Sequence, residues 1–381
     1  MSADFKPMRG GVAEFSFQIA SALNAKGILQ AVITPVHQPN PFGLPVIAPS
    51  KMNGNGYLGW LSYRLFCLRS IFVLLNHRDK IFFFSYVDEL YALPLLKLCM
   101  AIGVEFIVLF HGKDILKLSE RRKRLLESIF LKSKQLVFNS SATARLFETC
   151  TNTKVSESCC IWHPGGRFDY YDQLESHSLA VLESLPEQAI LVSSVCRLVK
   201  RKGLHFAIQA FNQICLESEF QDIYYIIAGD GTQRKDLEAL ASLGDKGKII
   251  FLGNITEPQK KALLERSHIF IMPNYSEQGS DFEGFGISFI EAAYFDTVVI
   301  GGRSGGAVEA LSLCPDSFLI DTDLEDPVPS IKNILSESIR SIQKRRQRQF
   351  ARGVPKVSAV KQSLRENLNF EVQLESYLKR T

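Results

Sequence analysis

Two carboxylates, Glu283 and Glu291, stand with seven residues between them, and the glycine-rich turn Gly284-Phe285-Gly286-Ile287 lies in that interval. From Ile287 the sequence suits a buried helix, so Glu283 and the amides of 284–287 fall at its first turn. There the N–H groups and the positive end of the helix dipole attract negative charge, and a carboxylate accepts hydroxyls. Glu291 falls about one turn further in and faces the same ligand from the side. A second such turn follows at once. A strand at 297–300 runs into Gly301-Gly-Arg-Ser-Gly305-Gly306 and then a helical AVEAL. Two helix starts and two carboxylates within about forty residues call for a ligand with both phosphates and sugar hydroxyls, which is a nucleotide sugar. The plainer alternative, glycines that only make turns and glutamates on the surface, suits one such turn better than two in succession.

Other polar groups gather just past apolar runs, where parallel sheets bind ligands. Arg197 and Lys202 follow a strand at 189–195; two cations across a tight loop hold a diphosphate, or else form a solvated basic loop. Gly229 ends the strand 224–229 and leads into Asp230-Gly231. His111 opens His111-Gly112-Lys113-Asp114 after the strand 105–110, where a structural histidine is the alternative to a catalytic one. Gly10 and Gly11 open a helix at 14–26. A glycine pair in that position normally follows a parallel strand, yet residues 2–9 are not an apolar run. The expected first strand is missing, which would leave the edges of its neighbours exposed.

The elements that must position these residues alternate strand and helix, which means parallel sheets built from βαβ units. A chain of 381 residues is long enough for two domains of roughly 150 to 200 residues. Its 46% apolar and 22% charged residues fit a soluble globular protein. A net charge of +4 argues against nucleic acid as a partner. The eight cysteines show neither Cys-x-x-Cys nor zinc spacing, so reduced buried thiols and a cytoplasmic location are expected. No signal peptide is evident at the N-terminus. The apolar stretch 92–110 is broken by Lys97, Gly103 and Glu105 and reads as a helix and a strand, not a membrane span. An apolar helix at 57–76 carrying Arg64 and Arg69 reads as a core helix, or as one docking on a bilayer. The basic stretch 338–352 is a solvated face or a site for anionic headgroups. The segment 35–59 reads as a loop, residues 156–186 as an interdomain passage, and the chain beyond 313 as less regular, ending in an amphipathic helix. No Asp-x-Asp metal motif is read in the sequence, so no obligatory metal is expected.

These motifs together resemble the family 4 retaining glycosyltransferases. Glu283-Gly-Phe-Gly286 through Glu291 looks like that family's Glu-x-Glu signature with seven intervening residues, and Gly10-Gly11-Val12-Ala13 is similar to its N-terminal glycine loop. His111-Gly112, Arg197 with Lys202-Gly203, Ala228-Gly229-Asp230-Gly231, and Ser304-Gly305-Gly306-Ala307 with Glu309 match further motifs. The wording is most similar to bacterial phosphatidylinositol mannosyltransferases and cell-surface polysaccharide enzymes. The resemblance implies an α/β GT-B fold of two facing Rossmann-like domains. Residues 1–166 would be acceptor-side, 187–355 nucleotide-sugar-binding, and 356–381 a helix returning to the first domain.

By the same resemblance, Arg197 and Lys202 neutralise the leaving diphosphate. Glu283 contacts donor-sugar hydroxyls with the amides of Gly284, Phe285, Gly286 and Ile287. Glu291 holds the ribose, and His111 lies near the transferred sugar. Gly10 and Gly11 face phosphates or acceptor, and Gly229, Gly305 and Gly306 belong to the donor loops. The donor implied is a UDP- or GDP-hexose and the outcome retention. The acceptor is lipid-linked or a polysaccharide, such as lipopolysaccharide, met by a cytoplasmic protein peripheral on the inner face of an anionic membrane. Two other readings remain: a noncatalytic nucleotide-sugar or membrane-binding protein, and an epimerase or sugar-phosphate synthase of the same fold. An NAD-binding oxidoreductase fits less well, because no strand-linked Gly-x-Gly-x-x-Gly is present.

Overall fold

Runs such as FIVLF at 106–110 and IFIM at 269–272 are apolar at every position and wholly buried, the pattern of parallel strands covered by helices on both faces. In the computed structural model, the residues described are 2–378 apart from 3–4, 7, 9, 37–42, 50–56, 86–91, 117–119, 156–158, 167, 218–219, 245–246, 277–281, 351–358 and 369. The chain divides into two units, Met1–Gly165 with Phe370–Thr381, and Gly166–Asn369.

The first unit begins with α1 (Gly11–Ala25), β1 (Val32–Ile33), β2 (Val46–Ile47) and α2 (Tyr57–Asn76). It continues with β3 (Phe82–Ser85), α3 (Ala92–Ile102), β4 (Phe106–Phe110), α4 (Glu120–Lys132), β5 (Gln135–Phe138), α5 (Ser141–Thr151) and β6 (Cys159–Ile161). β3 to β6 form a parallel four-stranded sheet in sequence order, and β1 and β2 pair separately. β2 lies within the 35–59 segment that the sequence suggested was all loop. The strands of the larger sheet alternate between two cores. Phe106, Val108 and Phe110 face the side of α2 and α3, whereas Ile107 and Leu109 pack with Phe15 and Ile19 of α1.

The second unit runs α6 (Phe168–Gln173), α7 (Ala180–Ser184), β7 (Ile190–Val195), α8 (Leu204–Cys215), β8 (Ile223–Ala228), α9 (Arg234–Ala241) and β9 (Ile249–Gly253). There follow α10 (Glu257–Arg266), β10 (Ile269–Met272), α11 (Ile287–Tyr294), β11 (Val298–Gly302), α12 (Ala307–Ser312), β12 (Ser317–Ile320), α13 (Val328–Phe350) and α14 (Ala359–Leu368). Its six strands lie in the order β12-β11-β10-β7-β8-β9, all parallel. The chain thus reverses its direction of build between β7 and β10, the switch point where open α/β sheets leave a crevice at the carboxyl ends. The passage expected up to 186 instead contains α6 and α7, which belong to this unit, and the region beyond 313 supplies an edge strand and a long helix.

The last helix, α15 (Phe370–Leu378), belongs to the first unit, while α14 belongs to the second. Phe370 meets Phe15 and Trp162 edge-on at 5.7 and 5.3 Å, and Gln373 Oε1 accepts the His163 N–H at 2.9 Å.

Candidate active site

The site sits at the β7/β10 switch point. After β7 the chain makes one turn of 3-10 helix, Lys200–Lys202, and closes it with Gly203 in the left-handed region at φ 67°. A Cβ at Gly203 would lie 1.9 Å from the Pro273 carbonyl oxygen, so only glycine lets the β7 loop press against the residue that follows β10. That contact brings Arg201 and Lys202 to Glu283. Both cations bind the same oxygen, Oε2, and all three side chains are buried. Burial alone would raise the Glu283 carboxyl; the Lys202 ammonium and Arg201 guanidinium overcome it and hold the group at about 2. Glu283 is therefore ionised at neutral pH.

The second glycine turn is built against the first. The Gly306 N–H donates to the Glu283 carbonyl at 2.8 Å, and a Cβ on Gly306 would lie 2.1 Å from the Gly284 carbonyl oxygen. The Gly306 amide thus fixes the backbone of Glu283. The helix it opens, α12, is only six residues long. Gly305 stands beside it at φ 56°. Asn274 ties the loops together: its Oδ1 accepts the Gly302 N–H at 3.2 Å, and its carbonyl accepts the Thr322 hydroxyl at 3.1 Å.

Gly286 caps α11 in the left-handed region at φ 101°, and Ile287 is the first helical residue. The Phe285 side chain is buried in the core with Phe289, so any part it takes in binding falls to its backbone. On α11, Glu291 Oε1 accepts the Tyr171 hydroxyl at 2.6 Å and the Lys260 ammonium at 2.8 Å. Lys260 also reaches Glu257 at 3.1 Å. Arg197 is exposed, and Gly229 follows β8 with its N–H donated to the Gly253 carbonyl at 2.7 Å.

Arg201, Lys260, Tyr171 and Asn274 were missed in the sequence. Arg201 stands beside Lys202 in a basic run, and no spacing rule separates the inward cation from the solvated one. Tyr171 and Lys260 reach Glu291 from elements far away in the chain. A further omission is the triplet Asp321-Thr322-Asp323, which is an Asp-x-Asp. Its carboxylates are exposed, Asp321 Oδ1 accepts the Asp323 N–H at 3.2 Å, and no cluster of three or more His, Cys, Asp or Glu suited to a metal occurs among the described residues.

Gly10, Gly11 and His111 belong to the first unit. Gly10 precedes α1 at φ 140°, and Gly11 is the first residue of that helix. His111 follows β4 and is buried, with its Nε2 3.4 Å from Ser85 Oγ and its ring edge-on to Phe15 at 5.9 Å. Burial pushes its pKa down to about 3, so the imidazole is neutral. Asp114 fixes the turn, accepting the His111 and Gly112 N–H groups at 3.0 and 2.9 Å.

Residues 182–352, which include the site residues of the second unit other than Tyr171, match the family described as glycosyl transferases group 1. That segment is similar to the group 1 glycosyl transferases. Over 154 residues the chain is 30% identical to a GDP-mannose-dependent alpha-(1-6)-phosphatidylinositol monomannoside mannosyltransferase of Mycolicibacterium smegmatis, covering 40% of each chain. It is 29% identical over 145 residues to the O-antigen biosynthesis glycosyltransferase WclY of Escherichia coli, covering 38% of this chain and 36% of that one. The matching stretches thus span about two fifths of these relatives. The structure of Anabaena Alr3699/HepE, solved with UDP and glucose, superposes with a TM-score of 0.69 at 16% identity, covering 100% of this chain and 99% of that one. With two halves built on parallel sheets, the fold class is GT-B, as the sequence implied.

Proposed function

We propose that the protein is a retaining glycosyltransferase that moves a hexosyl unit from a nucleotide-diphosphate sugar to a lipid-linked or polysaccharide acceptor in cell-surface glycan synthesis. The observation that carries this reading is Glu283, ionised and buried between Arg201 and Lys202 at the switch point. As the bond from the anomeric carbon to the β-phosphate oxygen breaks, negative charge builds on the leaving diphosphate. Cations already fixed in a buried loop stabilise that charge without reorganising. Lys202 and Arg201 supply the buried part, and Arg197, exposed at the rim of the same loop, supplies a planar fork for phosphate oxygens.

Glu283, relieved of part of its pairing by the incoming diphosphate, accepts donor-sugar hydroxyls, and Glu291 accepts those of the ribose. The acceptor oxygen attacks the face the diphosphate leaves, and its proton passes to the departing phosphate oxygen. Losing one such contact typically costs about 3 kcal/mol of barrier, roughly a hundredfold in rate. GDP-mannose in the names of relatives and UDP in a structural neighbour support a GDP- or UDP-hexose donor.

The test is a thermal-shift titration with UDP-, GDP- and ADP-sugars on the wild type, Glu291→Ala and Lys202→Ala, followed by analysis of products. One nucleotide class should raise the midpoint of the wild type alone, with nucleoside diphosphate released as a glycoside forms. A folded wild-type chain that shifts with none of them would sink the donor assignment, and binding without a new glycoside would sink the transferase.

An anionic membrane is the proposed setting for the acceptor. On α2, Leu65, Leu68, Phe72 and Leu75 are exposed along one side and Arg64 and Arg69 are exposed beside them, the composition of a helix that lies on charged lipid. The basic stretch of α13 is a poorer surface for lipid. Arg345 pairs with Asp316 at 3.4 Å, Arg346 donates to the Gln188 carbonyl at 2.6 Å, and Arg340 covers the Phe220 ring. No helix among the described residues is long and apolar enough to cross a membrane. Cosedimentation with phosphatidylglycerol vesicles should be lost in Leu68→Glu/Phe72→Glu; equal binding of wild type and variant would refute this surface.

A further inference from the structure

Glu291 is gripped by one oxygen only. Its Oε1 accepts the Tyr171 hydroxyl at 2.6 Å and the Lys260 ammonium at 2.8 Å, which uses both lone pairs of that oxygen. Among the described residues no donor reaches Oε2, and Oε2 is not one of the buried polar atoms sealed away without a partner. The carboxylate therefore keeps one oxygen open. Its two holders are themselves fixed. Lys260 Nζ lies 3.1 Å from Glu257 at the start of α10 and 5.4 Å from the centre of the Tyr171 ring. Tyr171 is buried, with its ring edge-on to Phe295 at 5.5 Å.

A plainer role for these bonds would be to fasten α6 and α10 to α11, but both helices are fastened without them. Phe168 of α6 stacks on Tyr294 of α11 at 4.5 Å, and the Tyr294 hydroxyl donates to Asp172 Oδ1 at 2.7 Å. From α10, Lys261 donates to the carbonyls of Tyr171 and Leu174 at 2.8 and 2.6 Å. α10 is anchored in turn by Leu263 and Leu264, both buried. A contact that served only to join helices would gain from using both carboxylate oxygens; this one leaves Oε2 unused.

We propose that Tyr171 and Lys260 are positioning residues that make Glu291 a one-oxygen acceptor, so that the cis 2′- and 3′-hydroxyls of the nucleotide's ribose both fall to Oε2. The inference rests on the reading of Glu291 as the carboxylate that holds the ribose. An untethered glutamate must stop turning about its χ angles when the nucleotide arrives. Held at Oε1, Glu291 gives up that freedom on folding instead, and its hydrogen bonds to the ligand count fully in binding. Two lone pairs remain on Oε2, one for each hydroxyl.

The test is isothermal titration calorimetry of the 381-residue chain with UDP, GDP and their 2′-deoxy and 3′-deoxy counterparts. The proteins are wild type, Tyr171→Phe, Lys260→Met and Lys260→Arg. Wild type should bind the ribose form of one diphosphate about tenfold or more tighter than either deoxy form. Tyr171→Phe and Lys260→Met should each shrink that preference severalfold, weakening the ribose form and leaving the deoxy forms bound as before. Lys260→Arg should keep it. Circular dichroism checks that the variants fold, because both tryptophans, Trp60 and Trp162, lie in the first unit and their emission follows that unit. If Lys260→Met does not fold, Tyr171→Phe, which removes a single oxygen atom, decides alone. Equal weakening of ribose and deoxy forms would mark the two residues as structural and overturn the proposal, as would an unchanged preference in folded Tyr171→Phe. A wild type that binds UDP or GDP without preferring ribose would refute the ribose role of Glu291. A folded wild type that binds neither would remove the donor site itself, and this inference with it.

Discussion

At Glu283 burial opposes the charged form and two buried cations favour it, and the cations win. Replacing the carboxylate with an amide leaves Arg201 and Lys202 buried without their counter-charge. Glu283→Gln should therefore destabilise the second unit by about 3 kcal/mol, and Lys202→Met in the same background should recover part of the loss. The folded pKa of about 2 lies below the ordinary glutamate value of about 4.3. As pH falls, the unfolded chain takes up this proton first. The stabilisation is thus complete above roughly pH 5 and is lost between about pH 4 and 2. Urea unfolding of wild type and Glu283→Gln, followed by circular dichroism, should show midpoints well apart at pH 7 that converge toward pH 3. A constant gap would mean that the pair does not control the carboxylate. The sequence marked Glu283 and Lys202 because a helix start and a strand end are local patterns. Arg201 escaped because its role depends on which way one turn of 3-10 helix points it.

At the level of elements, glycine decides how closely two loops approach. Gly203 and Gly103 both have positive φ, 67° and 73°, but a Cβ at Gly103 meets nothing within 4 Å while one at Gly203 strikes the Pro273 carbonyl. Alanine at Gly103 should cost about 1 kcal/mol of backbone strain. At Gly203 the figure should be roughly 3 kcal/mol or more, since a loop must also move. The two changes should appear in different transitions: Gly103→Ala in tryptophan emission, and Gly203→Ala in circular dichroism with emission unchanged. If they prove equally mild, the loop contact does not set the geometry of the site. β8, β10 and β11 were readable because their apolar runs stop at Gly or Pro, and β7 because its run stops just before Arg197. β12 was not, because an edge strand with partly exposed Ser317 and Phe318 lacks such a run. The start of α13 was hidden by Pro327 and Pro329, which read as breakers, although proline is tolerated in a first helical turn; the Val328 N–H is capped by Asp326 Oδ1 at 3.0 Å.

For the whole molecule, the first unit depends on a piece of chain drawn from the far end of the sequence. Phe370 is buried against Phe15 and Trp162, and Phe370→Ala should cost the first unit about 3 kcal/mol, read as an earlier tryptophan transition. Unchanged emission would show that α15 is dispensable. The separation of the two units along the chain has a consequence for biosynthesis. The second unit is one uninterrupted segment placed inside the first, so a ribosome finishes it while the first is still incomplete. Roughly 200 residues, at about 5 to 20 residues per second, amount to some 10 to 40 seconds. Throughout that interval Phe15 and Trp162 lack their cover, and a nascent chain in that state is a natural client for a chaperone that shields apolar surface.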